Sequence, residues 1–332
     1  MSQDGKILAR AREIIGEKKR HNQEEYLRRR AEIYARIPEI RTLDSQLSAL
    51  MANLISDSLR RGEDAVAAVR SAQGESERIS KRRAFLLKDA GYPEDYTDEK
   101  YDCPDCRDTG YIMGKPCKCL KEISKQVAME ELASVLDVQH QSFDLFNLNY
   151  YDDTPQNGIS AKDIMSRIFE TCREFALNFG KNSMNLLFRG GTGLGKTFLS
   201  ASIAEVVCAR GFSVVYGSAV SLLATFEDQK FDRGEGTEAA TAEVNRCLNC
   251  DLLIIDDLGT ELTTGFTQSA LYTLINTRLI NGRKTVISTN LSELDMQRRY
   301  SPQIISRLEG EFITLQFAGD DIRAIKRDQL LS

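Results

Sequence analysis

One stretch constrains this chain more than any other: Gly190-Gly191-Thr192-Gly193-Leu194-Gly195-Lys196-Thr197 fits the spacing G-x-x-x-x-G-K-[ST] in full. The apolar run Asn185-Leu186-Leu187-Phe188 before it reads as a buried strand, and residues 198–207 after it read as a helix. A glycine-rich turn between a strand and a helix N-terminus is a phosphate cradle. Glycines let backbone N–H groups turn inward, and the helix end adds a partial positive charge. In that geometry Lys196 reaches the β- and γ-phosphates of a nucleoside triphosphate, and Thr197 offers its hydroxyl to Mg²⁺.

A phosphate loop alone does not imply hydrolysis, so a second stretch matters. Asp251-Leu-Leu-Ile-Ile-Asp256-Asp257 is an apolar strand ending in two carboxylates, the Walker B arrangement. Asp256 is placed to hold Mg²⁺ and Asp257 to polarise an attacking water. An aspartate at 257 is shorter than the glutamate many such ATPases carry, so this base works over a different reach.

The chain's 332 residues suffice for two or three domains, and 42% hydrophobic content supplies a core. No run approaches the roughly 18 apolar residues of a membrane span, and the polar start lacks a signal-peptide core, so the expected location is the cytoplasm without membrane contact. A net charge of −5 argues against global attraction to nucleic acid and leaves local basic surfaces open. His21 and His140 are the only histidines and suggest no Ser/His or Cys/His hydrolase.

Residues 3–37 favour a helix that Pro38 closes, and Ile40, Leu43, Leu47, Leu50 and Leu54 repeat at spacings of three and four. A third helix ends at Ala90, where Gly91 can take a left-handed cap and Pro93 forbids continuation. The expected fold is a helical hairpin or small bundle. The runs Lys18-Lys19-Arg20, Arg28-Arg29-Arg30 and Lys81-Arg82-Arg83 read as a solvated helix face, with a docking or nucleic-acid surface as the alternative.

Eight cysteines without an export signal point to metal or buried thiols rather than disulfides. Cys103, Cys106, Cys117 and Cys119 can surround one tetrahedral Zn²⁺, with Gly110, Gly114 and Pro116 shaping a tight turn between the pairs. An unmetallated redox site or plain buried thiols are the other readings. Four cysteine ligands leave no open position for a metal-bound water, so the role is folding. Cys247 and Cys250 end a helix, where a redox pair would start one, and read as packing residues, as do Cys172 and Cys208.

The aromatic stretch from Ser142 to Tyr151 either packs on the next domain or lies against the adenine. Beyond it strands and helices alternate: strands at 185–188, 212–216, 251–256, 284–288 and 312–316, with helices at 160–179, 197–209, 218–230, 238–249 and 267–281, short helices through 292–309 and a terminal helix. The fold class this implies is α/β, a parallel sheet covered on both faces.

Three further features, read with the two motifs above, make this chain resemble an AAA+ ATPase. Strand Lys284–Ser288 runs into Thr289-Asn290, at the position of sensor 1, where Asn290 would hold the attacking water or the γ-phosphate. Arg307 matches the arginine-finger position, projecting to the nucleotide of a neighbouring subunit. Arg323 resembles sensor 2, reaching the phosphates in cis. With 16 residues after the strand ending at Gln316, the lid reduces to about one helix. The reduced core, the phrase Ile255-Asp256-Asp257-Leu258-Gly259-Thr260-Glu261-Leu262 and the cysteine-bearing extension resemble the DnaC/DnaI-type replicative helicase loaders. IstB-like transposition helper ATPases share the same core. The resemblance covers residues 142–332 and extends to the cysteine module, and the expected domains are residues 1–95 as a helical adaptor, 96–122 as a four-cysteine zinc module, 123–155 as linker helix and aromatic segment, and 156–332 as the ATPase core.

Such a loader binds ATP with Mg²⁺, docks on the hexameric replicative helicase through its N-terminal region, contacts single-stranded DNA and self-associates through the ATPase core. The alternative is a transposition helper acting on duplex DNA with a transposase, and a third is an adaptor that binds ATP and seldom hydrolyses it. The long extension favours the loader. The candidate DNA surface is Thr260–Gln268, with Phe266 either stacking on a base or packing in the core, plus Arg278, Arg283 and Lys284.

Overall fold

Proline and glycine set the limits of the first helices. The computed structural model describes residues 3–58, 65–136, 140–155, 158–231 and 236–331, and it divides into two compact units, Arg12–Leu120 and Lys121–Ser332 with Met1–Ala11. Helix α1 (Gln3–Arg36) stops before Pro38, which opens α2 (Pro38–Ser58). Proline lacks the N–H that a continuing helix needs, but its fixed φ suits a first helical position. Helix α3 (Ala65–Asp89) ends as expected: Gly91 has φ 83°, and the Tyr92 N–H donates to Leu87 O at 2.9 Å.

Within this unit Ile33, Ile40 and Leu87 are fully buried, bordered by Tyr34, Ile37, Tyr92 and Tyr96. The Arg28-Arg29-Arg30 run is only in part the solvated face its composition suggests, since Arg28 is exposed and the next two are not. Arg29 is buried and donates to Tyr96 O at 2.6 Å and Asp98 O at 3.2 Å, while Arg30 lies over the Tyr26 and Tyr34 rings. Loose chain past α3 leaves carbonyls that need donors, and an arginine fork meets two of them. Likewise Arg83 pairs with Asp44 at 3.2 Å and Asp98 at 2.8 Å. A short hairpin, β1 (Tyr111–Ile112) and β2 (Lys115–Pro116), follows and leads into α4 (Lys118–Ala133).

The second unit is the parallel α/β fold that the alternating pattern implies. Its elements in order are α5 (Ala161–Leu177), β3 (Asn185–Arg189), α6 (Lys196–Ala209), β4 (Val214–Ser218), α7 (Ala219–Phe231), α8 (Gly236–Asn249), β5 (Leu252–Leu258), α9 (Gly265–Ile280), β6 (Lys284–Thr289), α10 (Glu293–Arg299), α11 (Pro302–Glu311), β7 (Phe312–Gln316) and α12 (Ile322–Leu331). The strands run parallel in the order β4-β5-β6-β3-β7. Side chains alternate across a strand, so Phe188, Ile254 and Val286 share one face with α5 and α6, while Leu187, Leu253 and Ile287 pack on the other with α7, α9 and α11. Strand β4 starts two residues later than expected because Gly211 ends α6 in a left-handed cap and Ser213 is held by the Asp251 carboxylate before pairing begins.

Strand β3 lies between β6 and β7, away from its successor β4, and this order places the C-terminal ends of β3, β5 and β6 side by side. Ligands of open α/β sheets bind at such a reversal. Among the described residues no helix is long and apolar enough to cross a membrane.

Candidate nucleotide site and cysteine cluster

Gly195, with φ 89°, caps α6, and Lys196 is that helix's first residue. The Lys196 side chain is buried rather than extended into solvent. Its ammonium donates to Gly190 O at 2.8 Å, Gly191 O at 2.6 Å and Asn290 Oδ1 at 2.5 Å. Burial pulls its pKa below the ordinary ammonium range, opposed by the charges of Asp257 and Asp256. Gly193 has φ 72°, a left-handed conformation that strains other residues, and a Cβ there would displace the Asp321 carboxylate, 1.9 Å away.

A cavity of 290 Å³ opens beside this loop. Thr192–Thr197 form one wall, Asp257 and Asn290 a second, Ile322, Arg323 and Lys326 a third, and Leu145–Asn147 with Tyr150 and Tyr151 a fourth. The aromatic segment therefore both packs and lines the cleft. Phe146 stacks on Phe169 at 5.3 Å, and the Tyr151 hydroxyl donates to Leu194 O at 3.1 Å. Helix α12 is tied to the same loop by the Ile322 N–H, which donates to Gly193 O at 3.1 Å.

The two Walker B carboxylates are handled differently. Strands β5 and β6 fall out of register between Ile255 and Leu258, and Asp257 there has φ 53°, a left-handed conformation. Such backbone costs an aspartate about 1 kcal/mol or more and aims its carboxylate into the cavity. Burial, then the neighbouring Asp256 charge, raise the Asp257 pKa. Asp256 is buried, and with Thr197 it lines an adjoining cavity of 630 Å³. The Tyr216 hydroxyl donates to its Oδ2 at 2.7 Å, and Ser288 Oγ donates to its Oδ1. Sequence reasoning singles out neither Tyr216 nor Ser288, although alternation along β4 and β6 places both on the face that carries Asp256.

Of the expected site residues, Thr192, Gly193, Leu194, Gly195, Lys196, Thr197, Asp257, Asn290 and Arg323 meet at one cleft. Gly190 and Gly191 do not line it and instead hold Lys196 through their carbonyls. Arg307 lies on α11, half-buried, and is not brought to this chain's own cleft.

The candidate DNA surface does not hold together. Lys284 pairs with Leu252 at the start of β5, whereas Thr260–Gln268 follow its end, so the parts lie about 20 Å apart along the strand. Arg278 is fully buried and donates to Cys247 O (2.6 Å), Cys250 O (3.0 Å), Lys284 O (2.5 Å) and Thr285 Oγ1 (3.0 Å). Arg283 pairs with Asp251. Near the loop after β5 a different group gathers: Phe231, 64% exposed, meets the Phe266 ring edge-on at 5.3 Å, with Lys230 Nζ 4.9 Å from the Phe266 centroid.

In the first unit the four expected cysteines converge. Their sulfurs all lie within 4.8 Å of one another, with Cys103–Cys117 at 3.7 Å and Cys106–Cys119 at 3.5 Å. Tetrahedral Zn–S bonds of about 2.3 Å place sulfurs about 3.8 Å apart, so this donor set suits zinc. The Gly110 N–H points at Cys106 Sγ at 3.3 Å, and Met113 and Gly114, both at positive φ, make the hairpin turn. Burial opposes ionisation of Cys106, but the Gly110 N–H and neighbouring thiols outweigh it and bring the pKa to about 7. Cys172, Cys208, Cys247 and Cys250 are buried packing residues, as expected.

Comparisons with known proteins bear on the second unit. A replicative helicase loader DnaC of Buchnera aphidicola is 26% identical over 152 residues, 46% of this chain and 61% of that protein. The DnaC loader of Escherichia coli K12 is 24% identical over 153 residues, with the same coverage. The chain thus spans about three fifths of the curated relatives it matches. A crystal structure of the DnaC helicase loader aligns with a TM-score of 0.46 at 21% identity, covering 55% of this chain and 99% of that one. The profile described as IstB-like ATP binding protein matches residues 133–301, stopping short of Arg307 and Arg323. That match takes in just over half of the chain and contains the phosphate loop, both Walker B carboxylates and Asn290, and the protein belongs to the family of IstB-like ATP binding proteins.

Proposed function

We propose that this protein is a cytoplasmic ATPase that loads a hexameric replicative helicase onto single-stranded DNA, with hydrolysis of Mg-ATP controlling assembly and release. The observation carrying the ATPase reading is the single cleft shared by the phosphate loop, Asp257, Asn290 and Arg323. In this reading Lys196 and the loop N–H groups hold the β- and γ-phosphates, and the adenine lies against the wall from Leu145 to Tyr151. Thr197 and Asp256 hold Mg²⁺, which supplies neutralisation of the charge on the transferred phosphoryl group. Asp257 accepts a proton from the attacking water, Asn290 orients that water, and Arg323 steadies the phosphates from α12. Arg307, which does not line its own cleft, completes the site of a neighbouring copy.

The loading step is supported by likeness to proteins named helicase loaders and by the separate helical, cysteine-bearing unit. Single-stranded DNA is assigned to Lys230, Phe231 and Phe266, where an exposed ring beside an ammonium offers a base a stacking platform. The test is size-exclusion chromatography of the intact protein with the replicative helicase of its organism, in ATP and in ADP, with anisotropy titrations on single- and double-stranded oligonucleotides. A complex in ATP is expected, with salt-dependent single-strand binding that Phe231→Ala weakens about tenfold. No complex in either nucleotide, with binding confined to duplex DNA, would replace this reading by the transposition helper.

The four-cysteine cluster is assigned structural Zn²⁺, held by Cys103, Cys106, Cys117 and Cys119. Purified protein is expected to release about one zinc per chain when its thiols are titrated with a mercurial, and Cys106→Ser should retain little metal and lose helical signal at a lower temperature. Metal-free protein with unaltered melting would remove zinc from the account.

A further inference from the structure

The Walker B carboxylate is tied to the phosphate-loop helix by a run of hydroxyl groups. Alternation places Tyr216 of β4, Asp256 of β5 and Ser288 of β6 on the sheet face covered by α6, at its C-terminal edge. Tyr216 spends its one proton on Asp256 Oδ2, at 2.7 Å. Its contact with Ser200 Oγ, at 3.2 Å, therefore has Ser200 as donor. Ser200 lies one turn along α6 from Thr197 and donates to Thr197 O at 3.0 Å, so its single proton is shared between that carbonyl and the Tyr216 oxygen. On the other side the Asp257 N–H donates to Ser288 Oγ at 2.9 Å, and Ser288 donates to Asp256 Oδ1. Both oxygens of a buried carboxylate are thus held by neutral donors anchored in different elements, and its orientation toward α6 is set before any ligand arrives.

We propose that Tyr216 is the positioning residue for divalent-cation binding at this site. Its hydroxyl bonds Asp256 on β5 directly and reaches α6, the helix that carries Thr197 in its first turn, through Ser200. This rests on the nucleotide reading above and adds a residue that acts only through Asp256. The Tyr216 ring packs on the apolar cluster beneath α6, so phenylalanine preserves the packing and removes the hydroxyl alone. Without it, Asp256 keeps only the Ser288 bond and can turn away from Thr197.

The experiment titrates a fluorescent ATP analogue onto the intact protein across a range of Mg²⁺ concentrations, for the unaltered chain, Tyr216→Phe and Ser200→Ala. In Tyr216→Phe, Mg²⁺-free nucleotide binding should stay within about twofold, since Lys196 and the loop are untouched. The Mg²⁺ concentration giving half-maximal enhancement should rise about tenfold, the effect of losing one hydrogen bond to a charged group, and Ser200→Ala should shift it less. A general packing defect would instead weaken binding equally with and without Mg²⁺, and that result overturns the proposal. So does a Mg²⁺ dependence in Tyr216→Phe that matches the unaltered protein. If the unaltered protein binds no nucleotide at any Mg²⁺ concentration, the ATPase reading falls and takes this one with it.

Discussion

Replacing Lys196 by alanine should weaken ATP binding by a factor of about 100 or more and abolish turnover, the largest functional effect of any single change in this chain. The expectation follows from where the ammonium sits. It is already out of water, so much of its desolvation is met before phosphate arrives, and its three N–H groups rest on Gly190 O, Gly191 O and Asn290 Oδ1, one of which the phosphate oxygens replace. Removing one partner from a desolvated charge pair costs about 2–5 kcal/mol, in part because the phosphate oxygens are then left unmatched. Lys196→Arg should not rescue, because a planar fork cannot occupy a site sized for a single ammonium between two carbonyls. Fluorescence titration with ATP and a phosphate-release assay measure both effects. Retention of ATP affinity to within about threefold would show that the phosphates are not held at this loop. Asp257→Asn serves as the partner variant: binding intact and turnover lost is the outcome for a base, and unchanged turnover would exclude Asp257 from that role.

Arg278→Ala should destabilise the nucleotide-binding unit by about 3–5 kcal/mol, the range for breaking a buried charged network. The residue is fully buried, and its fork spans carbonyls at the end of α8, the turn before β5 and the start of β6. Burial lowers its pKa, an effect offset first by the Cys250 sulfur, and the carbonyl end of α8 supplies further partial negative charge. Truncation takes the charged donors away from three carbonyls and leaves a void in the core, and Arg278→Lys should recover little because one ammonium cannot span them. Urea unfolding followed by a probe on this unit checks the prediction, and a loss under about 1 kcal/mol would mean that the fork is dispensable. The same variant should leave single-stranded DNA binding of the folded protein unchanged, since Arg278 has no exposed surface.

Reading Arg278 from the sequence as a DNA contact fails for a reason that applies to basic residues generally. In sequence it stands six residues before Lys284 and five before Arg283, as if part of one basic patch. Periodicity along α9 puts Arg278 on the face of Leu271, Leu274 and Ile275, and what α9 alone does not show is the set of distant carbonyls, from Cys247, Cys250 and Lys284, that lets a guanidinium stay buried there. Arg29 fails in the same way, because the carbonyls that bury it belong to Tyr96 and Asp98, far along the chain. Tyr216 and Ser288 escape notice for the complementary reason: tyrosine and serine in apolar strands look like ordinary strand residues until neighbouring strands are aligned.

By itself the sequence determined whatever is satisfied by neighbours in the chain. The phosphate loop needs its glycines, Lys196 and Thr197 at set spacing, the helix breaks need Pro38 and Gly91, and alternating apolar runs with helices between them need a parallel sheet covered on both faces. Each of these follows from backbone geometry over a few residues. Tertiary structure alone decided which strand ends lie together, that Asp257 turns into the cleft at a break in register, that Asp256 is held by hydroxyls from both adjoining strands, and that Arg278 is buried. Those outcomes depend on strand order and on which distant groups desolvate one another, and free energies of that kind exist only once the chain has closed on itself.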